Sequence, residues 1–229
     1  MKYDNIKKAV FLERPNRFIA YADLDGEKVK CHVKNTGRCR ELLIPGKTVV
    51  YLEDHGEGTE RKTRYSLVTV EKNGRIINMD SQAPNQIAYD WIKSGGFKKE
   101  ISYVKREQTF GKSRFDIYYE CEDGTKGFME IKGVTLEQDN VARFPDAPTE
   151  RGLKHVYELI EAEDAGYEAN ILFVIQMRGI SHFEPNYATH AVFGAALKEA
   201  KAAGVNIMAM DCVVTENEVH AGDYVPVIL

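Results

Sequence analysis

Cysteine is scarce in this chain and poorly spaced for ligation. The four residues Cys31, Cys39, Cys121 and Cys212 show no metal-ligand spacing. That argues against a zinc site and for reduced core thiols in a cytosolic protein. Long apolar runs are missing as well. No stretch approaches the ~20 residues that cross a bilayer, so no membrane segment is expected. The opening Met1-Lys2-Tyr3-Asp4-Asn5 lacks the apolar core of a signal peptide, which points to a cytoplasmic location. Internal repeats and low-complexity segments are absent too.

An excess of one charge is also missing overall, since 31 Lys+Arg face 35 Asp+Glu for a net charge of -4. The distribution is uneven. Residues 1–80 hold 16 basic against 12 acidic side chains, and residues 81–229 hold 15 against 23. Between Lys28 and Lys47, six basic residues are opposed only by Glu41. A basic N-terminal part suits phosphate binding, although a solvated charge run is the plainer reading. With 229 residues, 43% of them hydrophobic, the chain can bury one good core or two small ones.

The pattern along the chain changes near Asp80. Short strands are expected at 18–22, 28–33, 48–52, 65–70 and 75–79, separated by Asp25-Gly26, Pro45-Gly46 and Asn73-Gly74. Five short strands in so little chain suggest a small OB-like β-barrel. Beyond it, a helix is expected at 84–94, strands at 101–110, 114–121 and 127–135, and a helix at 149–165. A strand at 170–177, a helix at 189–203 and a strand at 205–215 complete the reading. The order αβββαβαβ implies a mixed sheet flanked by helices, hence an α/β (α+β) class for the whole chain.

Three residues on two of these strands suggest chemistry: Asp116 in Ser113-Arg114-Phe115-Asp116-Ile117-Tyr118-Tyr119, and Glu130 and Lys132 in Gly127-Phe128-Met129-Glu130-Ile131-Lys132-Gly133. Two carboxylates and a lysine on adjacent strands would hold a divalent cation beside a phosphodiester. A hard cation takes carboxylate oxygens, a backbone carbonyl (here that of Ile131) and waters. Lys132 would then orient or deprotonate the attacking water, or offset charge on phosphorus. Register decides whether the three converge. A two-residue turn at Asp123-Gly124 would pair Asp116 with Ile131 on the wrong face, so an odd-length loop or a bulge is required. A solvated hairpin with an ordinary Glu/Lys pair is the plainer alternative.

Polar groups in the N-terminal part are candidate phosphate contacts: Arg14, Asn16 and Arg17, then His32, Asn35, Thr36 and Arg38. Thr36 would cap a short helix whose N-terminus seats a phosphate, or simply close a capped turn. On the helix at 149–165, Leu153, Val156, Tyr157 and Ile160 form the apolar stripe, and Arg151, His155 and Glu158 fall on the polar face. Arg151 and His155 would reach a phosphate if that helix borders the sheet, and otherwise face solvent.

Taken together these segments resemble the sugar fermentation stimulation protein A (SfsA) family over essentially the whole chain. The resemblance rests on Phe11-Leu12-Glu13-Arg14-Pro15-Asn16-Arg17-Phe18, His32-Val33-Lys34-Asn35-Thr36-Gly37-Arg38, Ser113-Arg114-Phe115-Asp116, Glu130-Ile131-Lys132-Gly133-Val134-Thr135 and Phe144-Pro145-Asp146-Ala147-Pro148-Thr149-Glu150-Arg151-Gly152-Leu153-Lys154-His155. It implies an OB-like nucleic-acid-binding domain over 1–80 and a PD-(D/E)xK nuclease-like domain over 81–229. Asp116 matches the motif aspartate, and Glu130 and Lys132 match its acidic residue and lysine. The expected cofactor is a divalent metal, Mg²⁺ or Mn²⁺, and the expected partner is DNA bound with little sequence preference. Many such nucleases add a glutamate on the first helix, but residues 84–94 contain none. Asn85 or Gln86 would face the site without charge, and Glu107 is the candidate third carboxylate.

Two functions follow from the resemblance. One is a metal-dependent deoxyribonuclease, with a homodimer supplying two sites for two strands. The other is a non-catalytic DNA-binding regulator of sugar (maltose) metabolism. An unrelated cytosolic α/β enzyme with incidental basic patches is a third reading, supported by base rates alone.

Overall fold

A computed structural model describes residues 1–229 except Thr36 and Thr59. The N-terminal part contains β1 (Ile6–Glu13), β2 (Ile19–Leu24), β3 (Glu27–Val33), β4 (Val49–Asp54), β5 (Tyr65–Lys72) and β6 (Arg75–Asn78). Antiparallel pairing runs β3-β2-β1-β4-β5-β6, and a parallel β3–β5 pairing closes five strands into a barrel. Residues 25–26 and 73–74 make two-residue hairpin loops, with positive φ at Asp25, Gly26, Asn73 and Gly74. That is the backbone twist such loops need.

The barrel has the five strands expected, but not the same five. β1 is absent from the expected set, because Lys7-Lys8 interrupts the apolar alternation although Ala9 and Phe11 face the core. β6, expected as a stave, instead extends from β5 outside the closed ring.

The second part contains α1 (Ala83–Lys93), β7 (Ile101–Phe110), β8 (Ser113–Cys121), β9 (Lys126–Val134), β10 (Glu137–Gln138), β11 (Val141–Phe144), α2 (Glu150–Asp164), β12 (Glu168–Ile175), β13 (His182–Pro185), α3 (Tyr187–Ala202), β14 (Asn206–Val214) and β15 (Val219–Val225). Its main sheet is mixed, in the order β15-β14-β12-β9-β8-β7. α1 packs on one face through Ala83, Ile87, Ala88 and Ile92, against Ile117, Met129, Ile131 and Leu172. α2 and α3 cover the other face through Val156, Leu159, Phe193 and Leu197. The expected αβββαβαβ order is present. The small sheet β10-β11-β13 and the edge strand β15 lie outside that expectation, being short or rich in polar residues.

The two parts are joined by a buried polar network. The Gln176 side chain donates to the carbonyls of Asn78 and Asp80, at 3.1 and 2.9 Å, and to Oδ1 of Asn78 at 2.9 Å. Asp80, with no exposed surface, accepts from Lys34 Nζ at 3.1 Å and from the backbone N–H of Gln82 at 2.9 Å. Its carboxylate thereby tethers the barrel to the start of α1. The first residues cross over as well: Met1 and Tyr3 bond the backbone of Val219 and Asn217 beside β15. Among the described residues, no helix is long and apolar enough to cross a membrane.

Candidate metal and nucleic-acid site

The β8–β9 hairpin sets the register. Ile117 pairs with Met129, Tyr118 with Phe128, Tyr119 with Gly127 and Glu120 with Lys126. The loop has three residues, closed by Cys121 N–H donating to the Thr125 carbonyl at 2.8 Å, with Gly124 at φ +87°. This is the odd-length connection that brings Asp116 and Glu130 together. The regular ladder stops at Ile117, and Asp116 takes over one of its bonds. Its Oδ2 accepts from the Ile131 backbone N–H at 2.8 Å.

β8 changes sides at Asp116. Phe115 packs on Phe128, with ring centroids 5.3 Å apart, whereas Ile117 packs with Met129 and Ile131 on the opposite face. Across on β7, Glu107 has a left-handed φ of +56°, an uncommon conformation for this residue type that marks the same irregularity.

Glu130 is only 3% exposed. Its Oε1 receives two short contacts, from Lys132 Nζ and from His155 Nδ1, each at 2.5 Å. Its Oε2 is buried and has no hydrogen-bond partner among the described residues. Burial works to raise the Glu130 carboxyl, but His155 and Lys132 outweigh it and hold the group below the usual carboxylate range. Asp116 behaves oppositely: burial first, then the neighbouring Glu130 charge, push its carboxyl up to about 6. Asn85 at the start of α1 donates to Asp116 Oδ1 at 2.7 Å. α1 approaches closely because β9 carries glycine there. A Cβ on Gly133 would lie 2.7 Å from Pro84 Cγ and 2.8 Å from Gln176 Oε1.

The helical pattern places His155 on a polar face meeting phosphate or solvent. It is instead buried against Glu130, and Glu158 is buried too, while Tyr157 of the expected apolar stripe is 40% exposed. The inner face of α2 is therefore rotated relative to the apolar pattern, because an imidazole with an acidic partner can be buried without an unmet hydrogen bond.

Glu107 does not join the site. Its side chain is 61% exposed and lies 3.5 Å from Arg114. Among the described residues, no three His, Cys, Asp or Glu side chains gather as a metal cluster. Gln86 also turns away, bonding Arg106 and Asp90.

The barrel candidates separate into tied and open groups. Arg14 spends its guanidinium on the carbonyls of Arg17, Asn35, Gly37 and Arg38, at 2.6–3.1 Å. It braces the loops instead of offering a charge. Asn16 and Asn35 fold their side-chain oxygens onto nearby backbone N–H groups. His32 is half-buried on β3, while Arg17 and Arg38 are exposed. Thr36 lies outside the described residues. In the second domain, exposed Arg151 lines an open cleft with Lys112, Arg114, Lys154 and His155.

A family profile described as "SfsA N-terminal OB domain" matches residues 12–79, and one described as "Sugar fermentation stimulation protein RE domain" matches residues 82–218. The chain belongs to the SfsA family. A sugar fermentation stimulation protein homolog of Desulfitobacterium hafniense (strain Y51) is 56% identical over 229 residues, 100% of this chain and 99% of that protein. The homolog of Clostridium beijerinckii is 52% identical over 100% of both chains. Pyrococcus furiosus SfsA, solved in complex with Ca²⁺, superposes with a TM-score of 0.89 at 29% identity, covering 100% of this chain and 98% of its own.

Proposed function

We propose that this SfsA-family chain is a metal-dependent nuclease that hydrolyses phosphodiester bonds in DNA. Asp116, Glu130 and Lys132 form its catalytic centre, and the barrel supplies DNA affinity. The observation that carries this reading is Glu130 Oε2, buried and unpartnered beside a second carboxylate. A buried anionic oxygen without a donor is costly, and a cation is the partner that offsets it. Two carboxylates, the Ile131 carbonyl and waters are the oxygen donors of a hard divalent ion, Mg²⁺ or Mn²⁺. The Ca²⁺ held by the Pyrococcus furiosus relative belongs to the same class. When bound, such an ion would neutralise phosphate charge and favour attack by water.

The side chains divide the remaining work. His155 and Lys132 occupy Oε1 of Glu130 and leave Oε2 as the ligand. Asn85 and the Ile131 N–H fix the Asp116 carboxylate. Lys132, with its side chain 14% exposed, is placed to orient the attacking water or to offset charge on the phosphate. Exposed guanidiniums on the barrel, with Arg151 near the sheet, would contact phosphates with little regard to sequence. Cutting both strands of a duplex needs two sites, which a homodimer would supply. Four free, buried thiols fit a reducing cytoplasm.

The second reading is a DNA-binding regulator of sugar (maltose) metabolism that does not turn over. It is favoured by Asn85, which meets Asp116 with a neutral amide where many related nucleases carry a glutamate.

The test is to incubate the protein and a Glu130→Gln variant with plasmid and single-stranded DNA in Mg²⁺, Mn²⁺ or EDTA. Metal-dependent cleavage that disappears in the variant is expected. Cleavage surviving the substitution would overturn the assignment. DNA binding without cleavage by either protein would support the regulator.

A further inference from the structure

The barrel carries a groove of about 420 Å³ whose floor includes Phe11, Leu43 and Pro45 and whose walls include Arg17, Arg38 and Arg40. All three arginines are exposed, and none has a carboxylate partner among the described residues. The acidic residue on the wall, Glu13, is already neutralised by Lys28 at 2.6 Å. At the rim Phe18 is 45% exposed, with the Arg17 guanidinium 4.8 Å from its ring centroid. An uncovered aromatic ring beside an arginine plane is a surface on which an unpaired base stacks, and unpaired guanidiniums take the phosphates. Bases locked inside a duplex cannot reach such a ring.

The groove also adjoins the C-terminal end of β9. Gly37 borders both it and a second depression, which is lined by Asn35, Gly133, Thr135 and Asp146. Gly133 directly follows Lys132. The loop approach at this boundary is tight: a Cβ on Gly37 would lie 2.8 Å from Asp146 Oδ2.

Resting on the reading of this chain as a DNA-acting protein, we infer that the barrel groove takes a single DNA strand. Phe18 stacks a base, Arg17, Arg38 and Arg40 hold the phosphates, and the strand passes by Gly37 toward Lys132. The groove therefore takes single-stranded or frayed DNA in preference to intact duplex.

The test is fluorescence anisotropy in EDTA, which separates binding from cleavage, using labelled dT12 and a blunt DNA hairpin as probes. The full-length protein is expected to bind dT12 more tightly than the hairpin. Phe18→Ala should weaken dT12 binding about tenfold, within the range for loss of one stacked base, while Phe18→Trp retains it. Arg38→Ala should reduce the salt slope for dT12 by about 0.7. Hairpin bound as tightly as dT12, or Phe18→Ala binding dT12 as the parent does, would overturn the inference. Neither outcome depends on turnover: duplex-only cleavage would leave the nuclease reading standing, and selective dT12 binding would survive the absence of cleavage.

Discussion

Asn85 on α1 donates its side-chain amide to Oδ1 of Asp116 at 2.7 Å. The bond fixes the Asp116 carboxylate of β8 from a different layer of the fold, without adding charge. Asn85→Asp would place a third carboxylate there. The expected result is a lower melting temperature in EDTA, from like-charge repulsion, and a larger rise on adding Mn²⁺ than in the parent. Asn85→Ala should lower stability by about 1 kcal/mol through the lost hydrogen bond. Thermal melts with and without Mn²⁺ check both.

Asp116 sets a pH dependence. Its carboxyl lies at about 6 in the fold against an ordinary value of 3.8, so the folded chain holds that proton more tightly than the unfolded chain. The stability from the neutral form is complete below about 3.9 and is lost as pH rises through about 6. Asp116→Asn, which keeps an oxygen for the Ile131 N–H, should therefore raise the melting temperature of the metal-free protein by a few degrees at pH 7.5. That gain should vanish near pH 4. Metal affinity of the parent should fall as pH drops below about 6, measured by Mn²⁺ titration at several pH values.

Gly133 keeps α1 in place. Gly133→Ala puts a methyl 2.7 Å from Pro84 Cγ, and relieving that overlap must shift α1, and Asn85 with it. A destabilisation of about 1–3 kcal/mol is expected from such overpacking, together with reduced cleavage. Urea melts and single-turnover rates report the two effects separately.

Arg14 and Arg38 should part company although both are basic and near each other in sequence. Arg14→Ala leaves four carbonyls without their donor and should cost about 2 kcal/mol or more of stability. Arg38→Ala should leave the melting temperature unchanged and weaken DNA binding. A salt titration of DNA affinity beside a thermal melt distinguishes them.

The fold is legible in the sequence where the pattern is local. The three-strand run, the helix at α1 and the helix at α2 follow from alternation, from Pro84, and from the helical spacing of Leu153, Val156, Tyr157 and Ile160; in the structure Thr149 Oγ1 caps α2 by accepting from Gly152 N–H at 3.0 Å. The requirement for an odd-length loop follows from alternation alone, because side-chain period fixes which faces can meet.

What the sequence hides depends on partners distant along the chain. β1 is obscured by Lys7-Lys8, both exposed, at the start of a strand whose barrel is closed by distant strands. His155 reads as a polar-face residue because its partner, Glu130, lies 25 residues away. Arg14 looks like a free cation because backbone carbonyls leave no signature in a sequence. The buried Asn78–Asp80–Gln176 network escapes notice for the same reason.

The central claim is that Asp116 and Glu130 hold one hard divalent cation. Isothermal titration of Mn²⁺ into the chelator-treated protein at pH 7.5 tests it most directly, with Glu130→Gln and Asp116→Asn in parallel. One ion per chain for the parent, and loss of binding in both variants while each still melts cooperatively in EDTA, is the predicted result. Mn²⁺ binding unchanged in Glu130→Gln would contradict the claim.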